Sequence, residues 1–264
     1  MNAVPEIAIV VPVFNEEGNV LPLADELVGA MQPLGRAYEL VFVDDASTDA
    51  TWEKIRAAQQ QHSCVRGLRH ERNAGQSAAL WTGIMATASP VIVTLDGDRQ
   101  NDPADLPRLL AELRDVDFVC GVRAKRQDNW LRRVSTKVAR AARAWALKVD
   151  FADTGCAFRA FKRGALDGVF PFNGVHRFLP VLVHANGAST KEIPIGHRAR
   201  VSGVSKYGMW NRLGRGIYDL IAISWYQKRR LPRIATTELK PAVATARGAE
   251  VKTPAPEFQP TASR

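Results

Sequence analysis

Through the first half of the chain, apolar residues come in short unbroken runs, and most of these runs close on a polar cluster. Ile7–Phe14 (IAIVVPVF) is the first, Tyr38–Val43 (YELVFV) the second, Val65–Leu68 the third and Pro90–Leu95 (PVIVTL) the fourth. Apolar runs without polar alternation predict strands of a parallel sheet covered on both faces. Between them, Val20–Met31, Trp52–Gln61 and Ser77–Ala88 read as helices, and Ser47-Thr48-Asp49 offers caps for the second. The alternation predicts an α/β fold with a mostly parallel central sheet flanked by helices. Ligand chemistry in such sheets gathers at the carboxyl ends of strands. Asn15-Glu16, Asp44-Asp45 and Asp96-Gly97-Asp98 all fall there.

The second half is less regular. Leu131, Val134, Val138, Ala141, Ala142 and Trp145 follow helical spacing, with Arg133, Lys137 and Arg140 on another face. A second amphipathic stretch, Met209–Tyr226, puts Trp210, Leu213, Ile217, Leu220, Ile221 and Ser224 on one stripe, flanked by Arg212, Arg215 and Lys228-Arg229-Arg230. Beyond residue 235 the chain is rich in Ala, Thr and Pro without period, which predicts a disordered tail. The expected organisation is a globular domain over 1–207, an amphipathic region over 208–234 and a tail over 235–264.

Composition narrows the class. Of 264 residues, 46% are hydrophobic and 24% charged, enough for a sizeable core. Cys64, Cys120 and Cys156 lie far apart without CxxC spacing, which fits a reducing compartment and excludes a disulfide scaffold. Five histidines show no ligand spacing, so no zinc site is expected. No membrane-length apolar run and no signal-peptide layout is visible, so a cytoplasmic protein is expected.

Charge is split along the chain. Residues 1–120 hold 9 Lys/Arg against 18 Asp/Glu, and residues 121–235 hold 23 against 6. An acidic half joined to a strongly basic half predicts two electrostatic jobs, the basic one facing phosphates or an anionic membrane surface.

Asp96-Gly97-Asp98 is the sharpest chemical signal. Two carboxylates one residue apart at a strand end suit a divalent cation, and oxygen-only ligands favour Mg²⁺ or Mn²⁺ completed by substrate phosphates. Gln100 offers a third protein oxygen. Taken alone, the motif reads first as a polar turn with Asp as a cap. Asp44-Asp45 and Asn15-Glu16 add two more acidic strand ends, whose mutual repulsion calls for cations or hydrogen-bond donors in the site. GxGxxG and P-loop motifs are absent, which excludes a usual dinucleotide site and a Walker ATPase.

The segments Val11-Pro-Val-Phe-Asn-Glu-Glu-Gly-Asn19, Val43-Asp-Asp-Ala-Ser-Thr-Asp49, Arg72-Asn-Ala-Gly75 and Leu95-Asp-Gly-Asp-Arg-Gln-Asn-Asp-Pro103 resemble, in order, the motifs of family 2 glycosyltransferases of GT-A fold. Gly121-Val-Arg123, Asp153-Thr-Gly-Cys-Ala-Phe158, His176-Arg-Phe-Leu-Pro180 and Arg200-Val-Ser-Gly-Val-Ser-Lys-Tyr207 are similar to the polyprenyl-phosphate branch, the dolichol-phosphate mannose synthases and their bacterial relatives. The resemblance covers about residues 5–230. It implies a GT-A catalytic domain over 1–207 with C-terminal amphipathic interface helices. It further implies that Pro12, Phe14, Asn15 and Glu16 line the nucleotide pocket and that Asp45 receives the base. Asp96 and Asp98, with Gln100, would hold the metal and donor diphosphate. Arg123 and Arg133 would grip the acceptor phosphate, with Ser205 and Lys206 assisting on donor or acceptor phosphate, and Asp153 lies on the acceptor side. The chain departs from the pattern at Arg99, an extra cation beside the carboxylate pair, and at Ala157, where many relatives have Gly.

These parts imply an inverting, metal-dependent transfer of a sugar to a polyprenyl phosphate at the cytoplasmic face of the cell membrane. By resemblance the donor is GDP-mannose, with a UDP-linked glucose or modified arabinose as the alternative. A phosphate monoester is already largely ionised, with a second pKa of about 6, so it needs orientation by arginine more than a base. A hydroxyl acceptor would instead need Asp153 as base. Amphipathic stretches with Trp and Tyr suit an interfacial helix, and an integral-membrane partner is the other route of attachment. Strands with aromatic residues interleaved among Lys/Arg are missing, so no nucleic-acid partner is expected. A catalytically silent relative that recruits a partner is the remaining alternative.

Overall fold

The computed structural model describes residues 4–123, 144–198 and 209–229, with the side chains of the last segment described from Tyr218 onward. In chain order the elements are β1 (Ile7–Val13), α1 (Val20–Met31), β2 (Tyr38–Asp44), α2 (Thr51–Gln61), β3 (Val65–Arg69), α3 (Gln76–Ala86) and β4 (Val91–Thr94). They continue with α4 (Leu106–Glu112), β5 (Phe118–Arg123), β6 (Arg159–Lys162), α5 (Val175–Ala185), β7 (Thr190–Ile195) and α6 (Met209–Arg229). The strand and helix positions read from the first hundred residues hold to within one or two residues. The cap of α2 differs. The N-cap is Ala50, which has no side-chain acceptor; Asp49 before it accepts the Thr51 N–H at 3.0 Å and Glu17 accepts the Ala50 N–H at 2.9 Å.

Seven strands form one sheet in the order β3-β2-β1-β4-β6-β5-β7. β1 pairs in parallel with both β2 and β4, with Ile7 opposite Tyr38 and Val91. The chain therefore reverses its direction of progress between β1 and β4, which opens a crevice at their carboxyl ends. β6 is antiparallel to both neighbours, β4 and β5, while β5 and β7 are parallel. Ile7, Ala8, Ile9, Val10 and Val11 are all fully buried, as a strand covered on both faces requires. Leu23, Leu27, Phe42, Ile55 and Leu109 fill the layer on one side, and Val10, Val41, Leu80, Phe161, Phe178 and Leu182 the layer on the other.

The stripe expected on α6 is divided between two faces. Ile223 is buried and Leu220 packs against the core, whereas Ile221 stands exposed with Tyr218 and Trp225. Among the described residues no helix is long and apolar enough to cross a membrane.

Candidate active site

Three loops leave the carboxyl ends of β1, β2 and β4, and each contains one residue with left-handed backbone: Asn15 at φ 56°, Ala46 at 59° and Arg99 at 59°. Such a conformation costs a non-glycine residue of the order of 1 kcal/mol or more. The loops are held there by one another. Asn15 donates its N–H to Ser47 Oγ at 2.9 Å and accepts the Thr48 N–H at 2.8 Å. The Glu16 N–H reaches Thr51 Oγ1 at 2.8 Å, and its carboxylate accepts from Asn19 Nδ2 at 2.5 Å.

The acidic strand ends carry their own donors, so the repulsion expected from the sequence is already relieved within the protein. Asp44 accepts the Ser47 N–H at 2.9 Å, while Arg69 Nε lies 3.2 Å from its other oxygen, close enough to pair but out of line for a hydrogen bond. Asp45 is buried, with Oδ1 accepting the Ala74 N–H (2.9 Å) and facing His70 Nδ1 (2.7 Å), and Oδ2 accepting the Gly75 N–H (2.7 Å). Gly75 sits at φ 89°, a conformation L side chains rarely adopt, and this turns its N–H onto Asp45 as α3 begins.

Asp96 and Asp98 follow β4. Asp96 Oδ1 accepts from Gln76 Nε2 at 2.6 Å, and Asp98, 8% exposed, accepts the Gln100 N–H at 3.2 Å. Gly97 is required for space: a Cβ there would lie 2.5 Å from Val13 Cγ1 and 3.2 Å from the Pro12 carbonyl oxygen. Arg99 turns its charge to Glu26 of α1, which also binds Arg198 Nη1 at 2.6 Å, and Arg198 Nη2 continues to Asp102 at 2.7 Å. Burial opposes ionisation of Glu26, but hydrogen bonds from Arg99 and Arg198 outweigh it and lower its pKa. Among the described residues no three His, Cys, Asp or Glu side chains gather as a metal cage. Two hard carboxylates on one turn suit a cation that takes its other ligands from a diphosphate and water, so the donor set fits Mg²⁺ or Mn²⁺.

Beside this turn lies the basic half. Arg123, at the end of β5, makes a bidentate pair with Asp153: Nε to Oδ2 at 2.7 Å and Nη2 to Oδ1 at 2.8 Å. The hydrogen bond to Asp153 holds the Arg123 pKa above its ordinary value. Glu192 of β7 fixes the Asp153 loop by accepting the Ala152 N–H at 2.9 Å. A recess between the halves is lined by Pro12, Gln76, Thr94, Asp96, Ala157, Arg159 and His176, among others. Burial pushes the His176 pKa down to about 3, so the ring is neutral near pH 7.

Residues 8–170 match the family described as Glycosyl transferase family 2. This chain belongs to that family. The family 2 domain is 34% identical over 217 residues to the undecaprenyl-phosphate 4-deoxy-4-formamido-L-arabinose transferase of Aeromonas hydrophila, covering 81% of this chain and 66% of the relative. It is 35% identical over 229 residues to the dodecaprenyl-phosphate galacturonate synthase of Rhizobium johnstonii, covering 84% and 68%. The chain thus spans about two thirds of the length of these curated relatives. Among solved structures, glucosyl-3-phosphoglycerate synthase from Mycobacterium tuberculosis, in complex with Mn²⁺, UDP and phosphoglyceric acid, superposes with a TM-score of 0.62 at 22% identity, covering 87% of this chain and 80% of that one. A mannosyltransferase from Pyrobaculum calidifontis in complex with GDP-Man and Mn²⁺ gives 0.57 at 22%, covering 85% and 65%. At these identities the shared property is the fold, which is GT-A.

Of the family 2 residues singled out from the sequence, Pro12, Phe14, Asn15, Glu16, Asp45, Asp96, Asp98 and Gln100 stand at the carboxyl ends of β1, β2 and β4 or in the loops that follow. Arg123 and Asp153 meet each other. Arg133, Ser205 and Lys206 lie outside the described residues. His70, Gln76, Ser77, Arg159 and Glu192 escaped the sequence reading. For Arg159 a signal was present: a lone cation between apolar residues in Ala157-Phe-Arg-Ala-Phe161. The others act through tertiary contacts that no local pattern announces.

Proposed function

We propose that this family 2 transferase moves a sugar, with inversion, from a nucleoside-diphosphate donor to a polyprenyl phosphate at the cytoplasmic face of the membrane. The observation that carries this reading is the juxtaposition of two carboxylates, Asp96 and Asp98, at the sheet's switch point with the Asp153-oriented guanidinium of Arg123. In this reading Pro12, Phe14, Asn15 and Glu16 shape the nucleotide pocket. A base N–H would be a further donor to Asp45. Asp96 and Asp98, with Gln100, would hold Mg²⁺ or Mn²⁺, which when bound neutralises charge on the leaving diphosphate.

The acceptor phosphate oxygen forms the new bond to the anomeric carbon as the bond to the nucleoside diphosphate breaks. No proton need be removed, because the phosphate is already ionised. Arg123 holds the phosphate in line, and on the family pattern Arg133, Ser205 and Lys206 would supply further phosphate-binding groups. Asp153 orients Arg123. Both its carboxylate oxygens already accept from that guanidinium, which supports orientation over base catalysis on a hydroxyl.

The sugars named for the two relatives, a formamido-arabinose and a galacturonate, favour a modified sugar over mannose from GDP-mannose. The exposed stripe of Tyr218, Ile221 and Trp225 on α6 suits the headgroup layer of an anionic membrane. We assign catalysis to 1–207, membrane contact to 208–234 and no catalytic part to 235–264. An integral-membrane partner would use the same exposed stripe.

The reading is tested by transfer from UDP-sugars and GDP-mannose to a short polyprenyl phosphate, with and without Mn²⁺ or Mg²⁺, alongside Asp98→Ala. Metal-dependent product that disappears in the variant is expected. Product formed equally by Asp98→Ala would overturn it.

A further inference from the structure

The recess beside Asp96 carries an unusual set of hydrogen-bonding groups. Arg159 is 1% exposed, paired in the sheet with Thr94 on one side and Cys120 on the other. Its Nη2 donates to the Thr154 carbonyl at 2.9 Å, and its Nε, itself shielded from solvent, has no acceptor among the described residues. Among the described residues no carboxylate lies within ion-pair distance of it, although the charges of Asp96 and Asp153 reach it. Burying a guanidinium with a donor unsatisfied is costly unless an acceptor arrives to complete it.

His176 adds a second donor. Ser77 Oγ accepts the Gly174 N–H at 2.9 Å and lies 2.6 Å from His176 Nδ1. That ring nitrogen is the acceptor available to the Ser77 hydroxyl proton, so the proton points at Nδ1 and the neutral ring carries its own proton on Nε2. Among the described residues the hydrogen bond of His176 is made by Nδ1, which leaves Nε2 to the recess. The one acidic group on this wall, Asp96, is already engaged by Gln76. The recess thus presents donors, one of them cationic, to whatever enters beside the carboxylate pair.

Resting on the donor reading above, we infer that Arg159 and His176 form a carboxylate subsite for the transferred sugar, so that the preferred donor is a nucleotide-linked uronic acid. The sugar carboxylate would accept from the Arg159 guanidinium where it lines the recess and from His176 Nε2. A hydroxymethyl group in its place offers the guanidinium no anionic partner in direct contact. Ser77 is a positioning residue, since it acts only by fixing the imidazole.

Binding measured by displacement or calorimetry tests this without turnover, in Mg²⁺, with UDP, UDP-glucose, UDP-glucuronate, UDP-galacturonate and UDP-GlcNAc. One charge-assisted subsite is expected to favour a uronate over the matching neutral hexose by about ten- to a hundred-fold. Arg159→Gln should erase that ratio and leave UDP affinity within about two-fold, whereas Arg159→Lys should keep part of it. A purely structural arginine would lower affinity for all donors alike and leave the ratio unchanged. If Arg159→Gln does not fold, the wild-type ratio and Arg159→Lys still decide. Equal affinity for uronate and hexose, or a gain for UDP-GlcNAc without a gain for the uronates, overturns the subsite while leaving the transferase reading intact. Failure of the wild type to bind any nucleotide, with GDP included, overturns both.

Discussion

The two halves of the sheet manage charge in different ways. On the β3-β2-β1-β4 side, carboxylates dominate, and they accept from neutral donors: Ser47 N–H on Asp44, Ala74 and Gly75 N–H on Asp45, Gln76 on Asp96. On the β6-β5-β7 side guanidinium groups take over, and they are met by a carboxylate in one case and by a main-chain carbonyl in the other. Arg123 is held by the Asp153 carboxylate, and among the described residues Arg159 donates to the Thr154 carbonyl without a carboxylate in ion-pair reach. The acidic side is a prebuilt cradle whose strain is stored in short turns. The basic side is a set of guanidinium charges, which suits the proposed transfer between two phosphate-bearing substrates.

This contrast is broken most severely at Asp98. Asp98→Ala is expected to reduce transfer about a thousand-fold with little change in melting temperature, checked by product formation and thermal unfolding. Next comes Arg123→Ala, with a loss of about a hundred-fold expressed mainly in the KM for the phosphate acceptor. Asp153→Asn should cost about ten-fold, without the change in pH profile that loss of a general base would bring. Steady-state kinetics against acceptor concentration separate the two.

On the acidic side, Gly75→Ala forces a side chain into φ 89° and loosens the N–H that caps Asp45. About 1–2 kcal/mol of stability should be lost, read from urea unfolding. The pH dependence of stability sharpens the comparison further. His176 titrates at about 3 in the folded chain and at its ordinary 6.5 when unfolded. Between those values the unfolded chain binds the extra proton, so stability rises with pH across this window and is lost as pH falls. The His176 contribution to the slope is at most about 1.4 kcal/mol per pH unit, and His176→Gln should remove it. The smallest effect belongs to the membrane face. Replacing Tyr218 and Trp225 together by Ser should weaken binding to anionic vesicles several-fold without altering activity on a short soluble acceptor.

Legibility followed the same divide. β1, β2 and β4 were readable because continuous apolar runs ending in Asp or Asn carry both the strand and its ligand end. Gly97 was readable as a turn, but its reason is the close approach of Val13 and Pro12, a tertiary fact. Arg99 read as a cation beside the carboxylates, yet Glu26 on α1 draws its charge into a pair, and nothing within three residues of Arg99 announces that. The antiparallel insertion of β6 between β4 and β5 was invisible, since four residues of strand carry no pairing direction. The α6 stripe was found as a helix but assigned to one face, because spacing alone does not say which side the core covers.

The central claim is that the acceptor is a phosphate rather than a hydroxyl. The most direct measurement is a side-by-side assay of a short polyprenyl phosphate and the matching polyprenol, with the same nucleotide sugar and metal, following the lipid product by mass. The account predicts a sugar-phosphate-lipid from the phosphate and no product from the alcohol. Comparable transfer to the alcohol would contradict it.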